Sequence, residues 1–568
     1  MKPSEPSEPS EPSRYDVTGR RNAASARWTI ERLNPPSRLW GSNGVAFGPD
    51  GRLYVAQFLA GQISAVDPAT GDVEVVVPMD SPVQSPDDLA FGADGSMYIA
   101  DLVPGRVWRR SPQGKYTLVS GDVDNPNGIT CIGDRLFVNE MKPDGRLMEL
   151  FPDDRDGRDP VVLAEGLALG NAMQRGPDGY LYYPHMMSGE NPMLTGQVWR
   201  IPPDGGAPEV VADDVHQPVA VRFDRGGVLH VLSRGPEGIV TRIDLHGSGS
   251  RTLVTSGVVG LDNAAFDAEN RMFVSSYSSG GVTEMHPDGR TREIVPRGLD
   301  GPYGVTIDLG GRVYAADHYR VARPEPSPEG GVTTHSLLHF SHGIVSDGEL
   351  LHLTSQFGQI QTYDPGSGAT RERAGGLRRP LGITVAPDGS LVVAESDAGR
   401  VVAVDEADAL TVLADGLDRP VDVAFDAEGR CYVSDERLGA VLRLEADGPP
   451  TVVVDGLYAP QGLAVLGDEL FTVETGRRRL RAVSLTTGES RTDAEDLPVG
   501  PPPGVVPRTE PALFANGMPG MARRFAGLAA GPDGSLLLSA NGEGTVLRLE
   551  PVRTPDPASA PSPGPDAG

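Results

Sequence analysis

Asn43, Asp87, Asn127, Asn171 and Asp262 recur at one position of a repeating sequence, and each carries an amide or carboxylate oxygen. Gathered on one axis, with no sulfur and no imidazole among them, these oxygens form a donor set for a hard divalent ion. Ca²⁺ is favoured over Mg²⁺, and water would complete the shell. Taking two carboxylates and three amides out of water without partners costs several kcal/mol, which a bound cation offsets. A single Asn or Asp at the start of a strand is ordinarily a turn residue. Five in register around a closed ring call for a ligand. In such a site Asp262 or Asp87 can act as general base or nucleophile toward a carbonyl polarised by the ion. His185, followed by Met186 and Met187, is the imidazole acid–base candidate of the same half.

The equivalent position in the second half holds Tyr303, His342, Leu381, Val421, Gln461 and Ala526, with no Asn or Asp. That half concentrates five of the ten histidines within 35 residues: His318, His335, His339, His342 and His352. A secondary candidate site is therefore His318 and His342 with Gln356 and Glu395. About 14 residues beyond each axial position lies another recurrent polar set. It reads Gln57, Asp101, Glu140, His185, Ser233 and Ser276, then Asp317, Ser355, Glu395, Asp435, Glu474 and Ala540. Most of these are expected to bond local backbone.

The elements that must position these residues are repeats. An apolar strand, a turn such as Pro49-Asp50-Gly51 or Pro387-Asp388-Gly389, and a second apolar strand recur with a period near 40 residues. Short strands at that period, cut by Gly-rich turns, predict an all-β protein of tandem β-propellers. The twelve repeats predict two six-bladed rings, with one twelve-bladed ring the alternative. The expected domains are a disordered tail over 1–26, a first propeller over 27–300 and a second over 301–551. An insertion falls near 492–511, and a second tail covers 552–568. Arg27–Leu33 has strand character and is a candidate ring-closing strand.

A net charge of −28 argues against nucleic-acid and anionic-membrane partners. Cys131 and Cys431, the only two cysteines, exclude a disulfide scaffold and a cysteine zinc site. No 18-residue apolar run occurs, and the Ser-Glu-Pro start is unlike a secretory signal, so a cytoplasmic protein is expected. Phosphate-loop, Gly-x-Ser-x-Gly, His-Glu-x-x-His and Rossmann patterns are missing, which disfavours nucleotide and flavin cofactors and serine triads. A small-molecule substrate remains.

Asn125-Pro126-Asn127-Gly128-Ile129 and Gly260-Leu261-Asp262-Asn263-Ala264 resemble the ion-binding motifs of the calcium-dependent six-bladed propeller hydrolases. These are the senescence-marker/gluconolactonase family, the paraoxonases and the squid-type phosphofluoridase. The resemblance covers residues 40–300, and the repeats, of NHL type, extend it to about 550. It implies Asn127 and Asn171 as amide ligands, Asp262 as a ligand carboxylate, and hydrolysis of a lactone or related ester. Asn43 stands where these families open with Glu. The histidine cluster is loosely similar to streptogramin-lyase-type propellers, which makes a metal- and His-dependent lyase or cyclase one alternative. A non-catalytic NHL-type binding propeller is another.

Overall fold

Runs such as Leu53–Gln57 (LYVAQ) and Met97–Asp101 (MYIAD) are buried at every position. A strand with both faces covered tolerates such continuous apolar sequence. Fourth strands such as Val73–Val77 are largely exposed, as at a sheet edge. Among the described residues, repetition of this gradient gives twelve four-stranded antiparallel sheets, numbered 1–12 here by the chain order of their innermost strands, from Val45–Phe47 in sheet 1 to Leu528–Ala530 in sheet 12, with Trp28–Arg32 as the outer strand of sheet 12. The computed structural model describes residues 11–153, 158–188, 194–245, 249–326, 332–337, 339–506 and 523–552, without the side chains of Pro326 and His335.

The first strand of sheet 1 packs against those of sheets 2 and 6, and the first strand of sheet 7 packs against those of sheets 8 and 12. Each half therefore closes on itself, giving two six-bladed propellers and not one ring of twelve. The rings close differently. In the first, Ser42 Oγ donates to Ser276 O at 3.1 Å and Gly281 O at 2.7 Å, and Ser275 Oγ donates to Asn43 O at 2.5 Å. In the second, Trp28–Arg32 lies antiparallel to Thr545–Pro551, from Trp28 opposite Pro551 to Arg32 opposite Leu547. The strand-forming stretch near residue 30 thus belongs to the second ring, although it precedes the first in sequence. Trp28 decides this: it is buried edge-to-face on Phe471, centroids 5.6 Å apart, and its indole N–H donates to Asp493 at 3.0 Å.

The propellers are pinned together near the N-terminus. Arg14 is buried and donates to Leu39 O (2.7 Å) before sheet 1, Leu299 O (3.3 Å) between the rings, and Asn541 O (3.0 Å) in sheet 12. Its guanidinium lies 4.0 Å from the Trp40 ring centroid, and that of Arg524 lies 4.5 Å from the same ring. Of the expected insertion near 492–511, residues up to 506 are described and 507–511 lie outside the described residues; Val505 packs against the buried group of Trp40, Ala60 and Met79.

Candidate functional site

The strand starts that carry the axial residues are irregular. Pairing slips between Pro86 and Asp88, between Pro126 and Ile129, and between Leu261 and Ala264. Such bulges turn a side chain out of the alternating pattern, here at Asp87, Asn127 and Asp262. Asn43 and Asn171 stand just ahead of their strands. Gly128 allows sheets 3 and 4 to meet: a Cβ there would fall 2.1 Å from Asn171 O.

Asn43, Asp87, Asn127, Asn171 and Asp262 all line one cavity of about 130 Å³ on the first axis. All five are buried. Asn43 Nδ2 donates to Asp87 at 3.3 Å and its side chain also hydrogen-bonds Asp262. Asn127 hydrogen-bonds Asp87, and its own Oδ1 is buried without a partner among the described residues. Asn171 Oδ1 is engaged by Ala172 N–H at 2.6 Å, and its Nδ2 faces Met186 Sδ at 3.4 Å. Burial, and then Asp88, push the Asp87 carboxyl up to about 7. Burial, and then the Asp87 and Asp88 charges, hold Asp262 well above the usual range.

Beneath these residues lies a layer that the spacing argument overlooked. Asp88 accepts Leu89 N–H (2.9 Å), Ile129 N–H (3.3 Å) and Asn263 Nδ2 (3.1 Å). Buried Arg222 donates to Ala264 O (2.7 Å), Met173 O (3.1 Å) and Val221 O (2.8 Å), and its charge acts on both Asp88 and Asp262. The Asp87-Asp88 pair was a visible signal for half of this layer; nothing in the sequence marked Arg222.

The roof comes from the other propeller. Tyr319 and Phe340, of sheets 7 and 8, line the cavity beside Phe58, Leu102, Met141, Met186, Val219, Arg234 and Tyr277. Tyr277 and Tyr319 meet edge-to-face at 5.2 Å, and Tyr319 meets Phe340 at 5.5 Å. Burial, then the Asp87 and Asp262 charges, hold the Tyr319 phenol well above its usual range. His318 (φ 42°) and Phe340 (φ 50°) are held in the left-handed region, an outlier conformation for bulky residues.

His185 does not join this cavity. Its ring stacks on Trp199 at 4.9 Å, Ala168 N–H approaches Nδ1 at 3.4 Å, and burial drives it down to about 4. It shares its place with Asp101, Glu140 and Asp435, whose carboxylates accept backbone N–H groups ahead of their own first strands. Of the secondary candidates, His318 and His342 come close to one another, whereas Glu395 is engaged elsewhere. Glu395 accepts Arg378 N–H at 2.7 Å and pairs with Arg400. His318 and His342 each lie 6.0 Å from the Tyr303 ring, on an axis filled by Tyr303, Leu381, Val421 and Phe525. Burial, and then His342, drive His318 down to about 3. Gln356 is anchored by its backbone to Phe340 O at 2.8 Å. His339 is bonded to Gln361 and Ser336 and His352 to Thr362, and the His335 side chain lies outside the described residues.

A hard cation suits this cavity by donor type. Two carboxylates with raised proton affinity stand beside an amide oxygen without a partner. Among the described residues no three His, Cys, Asp or Glu side chains converge for a metal ion, so an ion here would rest on Asp87, Asp262 and amide oxygen.

No known protein family matches the sequence, and no curated protein does. Solved structures do. The chain is similar to the extracellular domain of a putative one-component system from B. thetaiotaomicron, at 10% identity over 93% of this chain and 83% of that one, TM-score 0.32. It is similar to a gluconolactonase from Xanthomonas campestris at 17% identity, over 48% of this chain and 96% of that one, TM-score 0.35. It is also similar to virginiamycin B lyase from Staphylococcus aureus at 15% identity, over 57% and 95%, TM-score 0.23. At these scores none of them bears on activity.

Proposed function

We propose that the chain is a metal-dependent hydrolase of a small lactone or related ester, working in the cavity on the first axis. One observation carries this reading: the buried Asp87–Asp262 pair and the partnerless Asn127 oxygen share a cavity with apolar walls and an aromatic roof. Asp87, Asp262 and Asn127, with Asn43 bridging the carboxylates, would hold Ca²⁺ or Mg²⁺. The ion supplies a Lewis acid for a carbonyl oxygen.

The residues supply the rest. Asp87 and Asp262 both line the cavity, and either carboxylate is suited to take a proton from water and pass it on to the leaving oxygen. Phe58, Leu102, Tyr319 and Phe340 keep bulk water off the reacting carbonyl. A cavity of about 130 Å³ limits the substrate. A 150 Å³ cavity holds benzene, so ligands of roughly six to eight heavy atoms fit.

The test is hydrolysis of γ-butyrolactone, δ-valerolactone and small aryl esters, with and without chelator, by wild type, Asp87→Asn and Asp262→Asn. Expected are chelator-sensitive turnover and losses of about 10²–10⁴-fold in either variant. Turnover unaffected by chelator and by both substitutions would overturn the reading. An unsaturated or cyclised product in place of the hydroxy acid would replace hydrolysis by the lyase or cyclase reaction.

A further inference from the structure

The innermost strands of sheets 1, 2, 5 and 6 end on Phe47, Phe91, Phe223 and Phe266. With residues of sheets 3 and 4 they line a second cavity, of about 390 Å³, to which all six blades of the first propeller contribute. It is the opposite end of the first axis. Asp87 and Asp262 stand near the starts of the strands that Phe91 and Phe266 end, so the two cavities lie about one short strand, roughly 13 Å, apart. Each phenylalanine leans on the second strand of the blade before it. Phe47 meets Phe273 at 5.5 Å between centroids, Phe91 meets Tyr54 at 4.9 Å, Phe223 meets Tyr182 at 4.8 Å and Phe266 meets His230 at 5.1 Å. Neighbours thus fix the four rings in place before any ligand arrives, which lowers the cost of binding.

Arg222 stands between the cavities: it lines the second, and its charge acts on Asp88 and Asp262 beneath the first. The residue is 8% exposed. Its Nε and Nη1 are engaged by the carbonyls of Ala264, Met173 and Val221, which are neutral, and Nη2 makes no hydrogen bond among the described residues. Nor does any carboxylate among the described residues form an ion pair with it. A guanidinium buried without a contacting anion is costly, and here the unengaged nitrogen belongs to a wall of an open cavity. At the mouth, exposed Arg225 donates through Nε to Asp267 O at 2.6 Å, and Asp224 accepts Val228 N–H at 2.9 Å within its own turn.

We propose that this cavity is a binding site for a small organic carboxylate with an aromatic body. The carboxylate meets Arg222 and gives the buried guanidinium the contacting anion it lacks. The body lies among the four phenylalanine rings. Volume sets the size: a cavity of about 150 Å³ holds benzene, so one of about 390 Å³ takes roughly 15 heavy atoms. The proposal is independent of the chemistry assigned to the other end of the axis.

Calorimetric titration of the full chain with naphthoate and with phenylbutyrate, each against its neutral amide, tests it. Both probes are too large for the cavity around Asp87. Expected is a Kd below about 1 mM for at least one carboxylate, with its amide at least about tenfold weaker. Arg222→Met should weaken the carboxylate at least about tenfold, and Arg222→Lys, which keeps the charge, should weaken it less. Thr130→Phe narrows the cavity with Arg222 in place and should also weaken binding at least about tenfold. Phe340→Ala, at the other cavity, should leave it unchanged. No binding of either carboxylate, equal affinity for acid and amide, or affinity indifferent to both Arg222→Met and Thr130→Phe overturns the site. So does loss in Phe340→Ala alone, which would place the probe in the first cavity. Circular dichroism establishes that each variant is folded; if Arg222→Met is not, Thr130→Phe and the acid–amide comparison decide.

Discussion

At the scale of single residues, the five axial oxygens were legible because a repeat converts sequence spacing into radial position. Their neighbours were not. Asp88 and Arg222 point inward only because of local bulges and ring closure, and nothing in one repeat announces a cross-ring contact. The carboxyl pair has a measurable signature. Asp87 holds its proton to about 7 in the fold, whereas an unfolded Asp releases it near 3.9. Between those values the unfolded chain binds fewer protons, so this group makes stability fall as pH rises, with the full penalty present above about 7. Asp262 acts in the same direction. In chelator, Asp87→Asn should therefore be more stable than wild type at pH 8, and the two should converge near pH 4. Urea midpoints across that range give the comparison, and parallel profiles for the two proteins would count against a buried, proton-holding Asp87.

At the scale of elements, the blade pattern was readable because turn residues and fully buried second strands impose it locally. The partner of an isolated strand is not a local property. Trp28–Arg32 could have extended any sheet by its composition, and ring closure assigns it to residues more than five hundred positions away. The first ring closes instead through Ser42, Ser275 and ordinary blade packing. Loss of the Trp28 anchor should therefore damage one ring selectively. Trp28→Ala removes a buried indole from the core shared by sheets 11 and 12, a change that ordinarily costs about 3–5 kcal/mol. Hydrogen exchange should show lost protection in Leu536–Ala540 and Glu469–Glu474, on either side of that core, with Arg135–Glu140 in sheet 3 unchanged. Equal loss in both rings would mean that the strand stabilises the pair as one unit.

At the scale of the whole molecule, the candidate site belongs to both propellers, which no reading of the first half alone could show. The first propeller supplies polar residues and walls, and the second covers them with Tyr319 and Phe340. An aromatic series runs from Tyr277 through Tyr319 and Phe340 to Phe357, each contact edge-to-face at 5.2 to 5.5 Å. At about 130 Å³ the cavity admits only small rings, and trimming its aromatic cover should relax that limit without touching Asp87 or Asp262. Phe340→Ala opens the cavity from the second propeller's side. One methylene in an apolar pocket is worth about 10–200-fold in selectivity. The ratio of kcat/KM for an ester two methylenes longer over its small homologue should accordingly rise at least about tenfold in Phe340→Ala. Tyr319→Phe, which keeps the ring and loses only the hydroxyl, should leave that ratio near wild type. A rise in both variants would point to a loosened interface, and no rise in either would place the size limit in the first propeller's own walls.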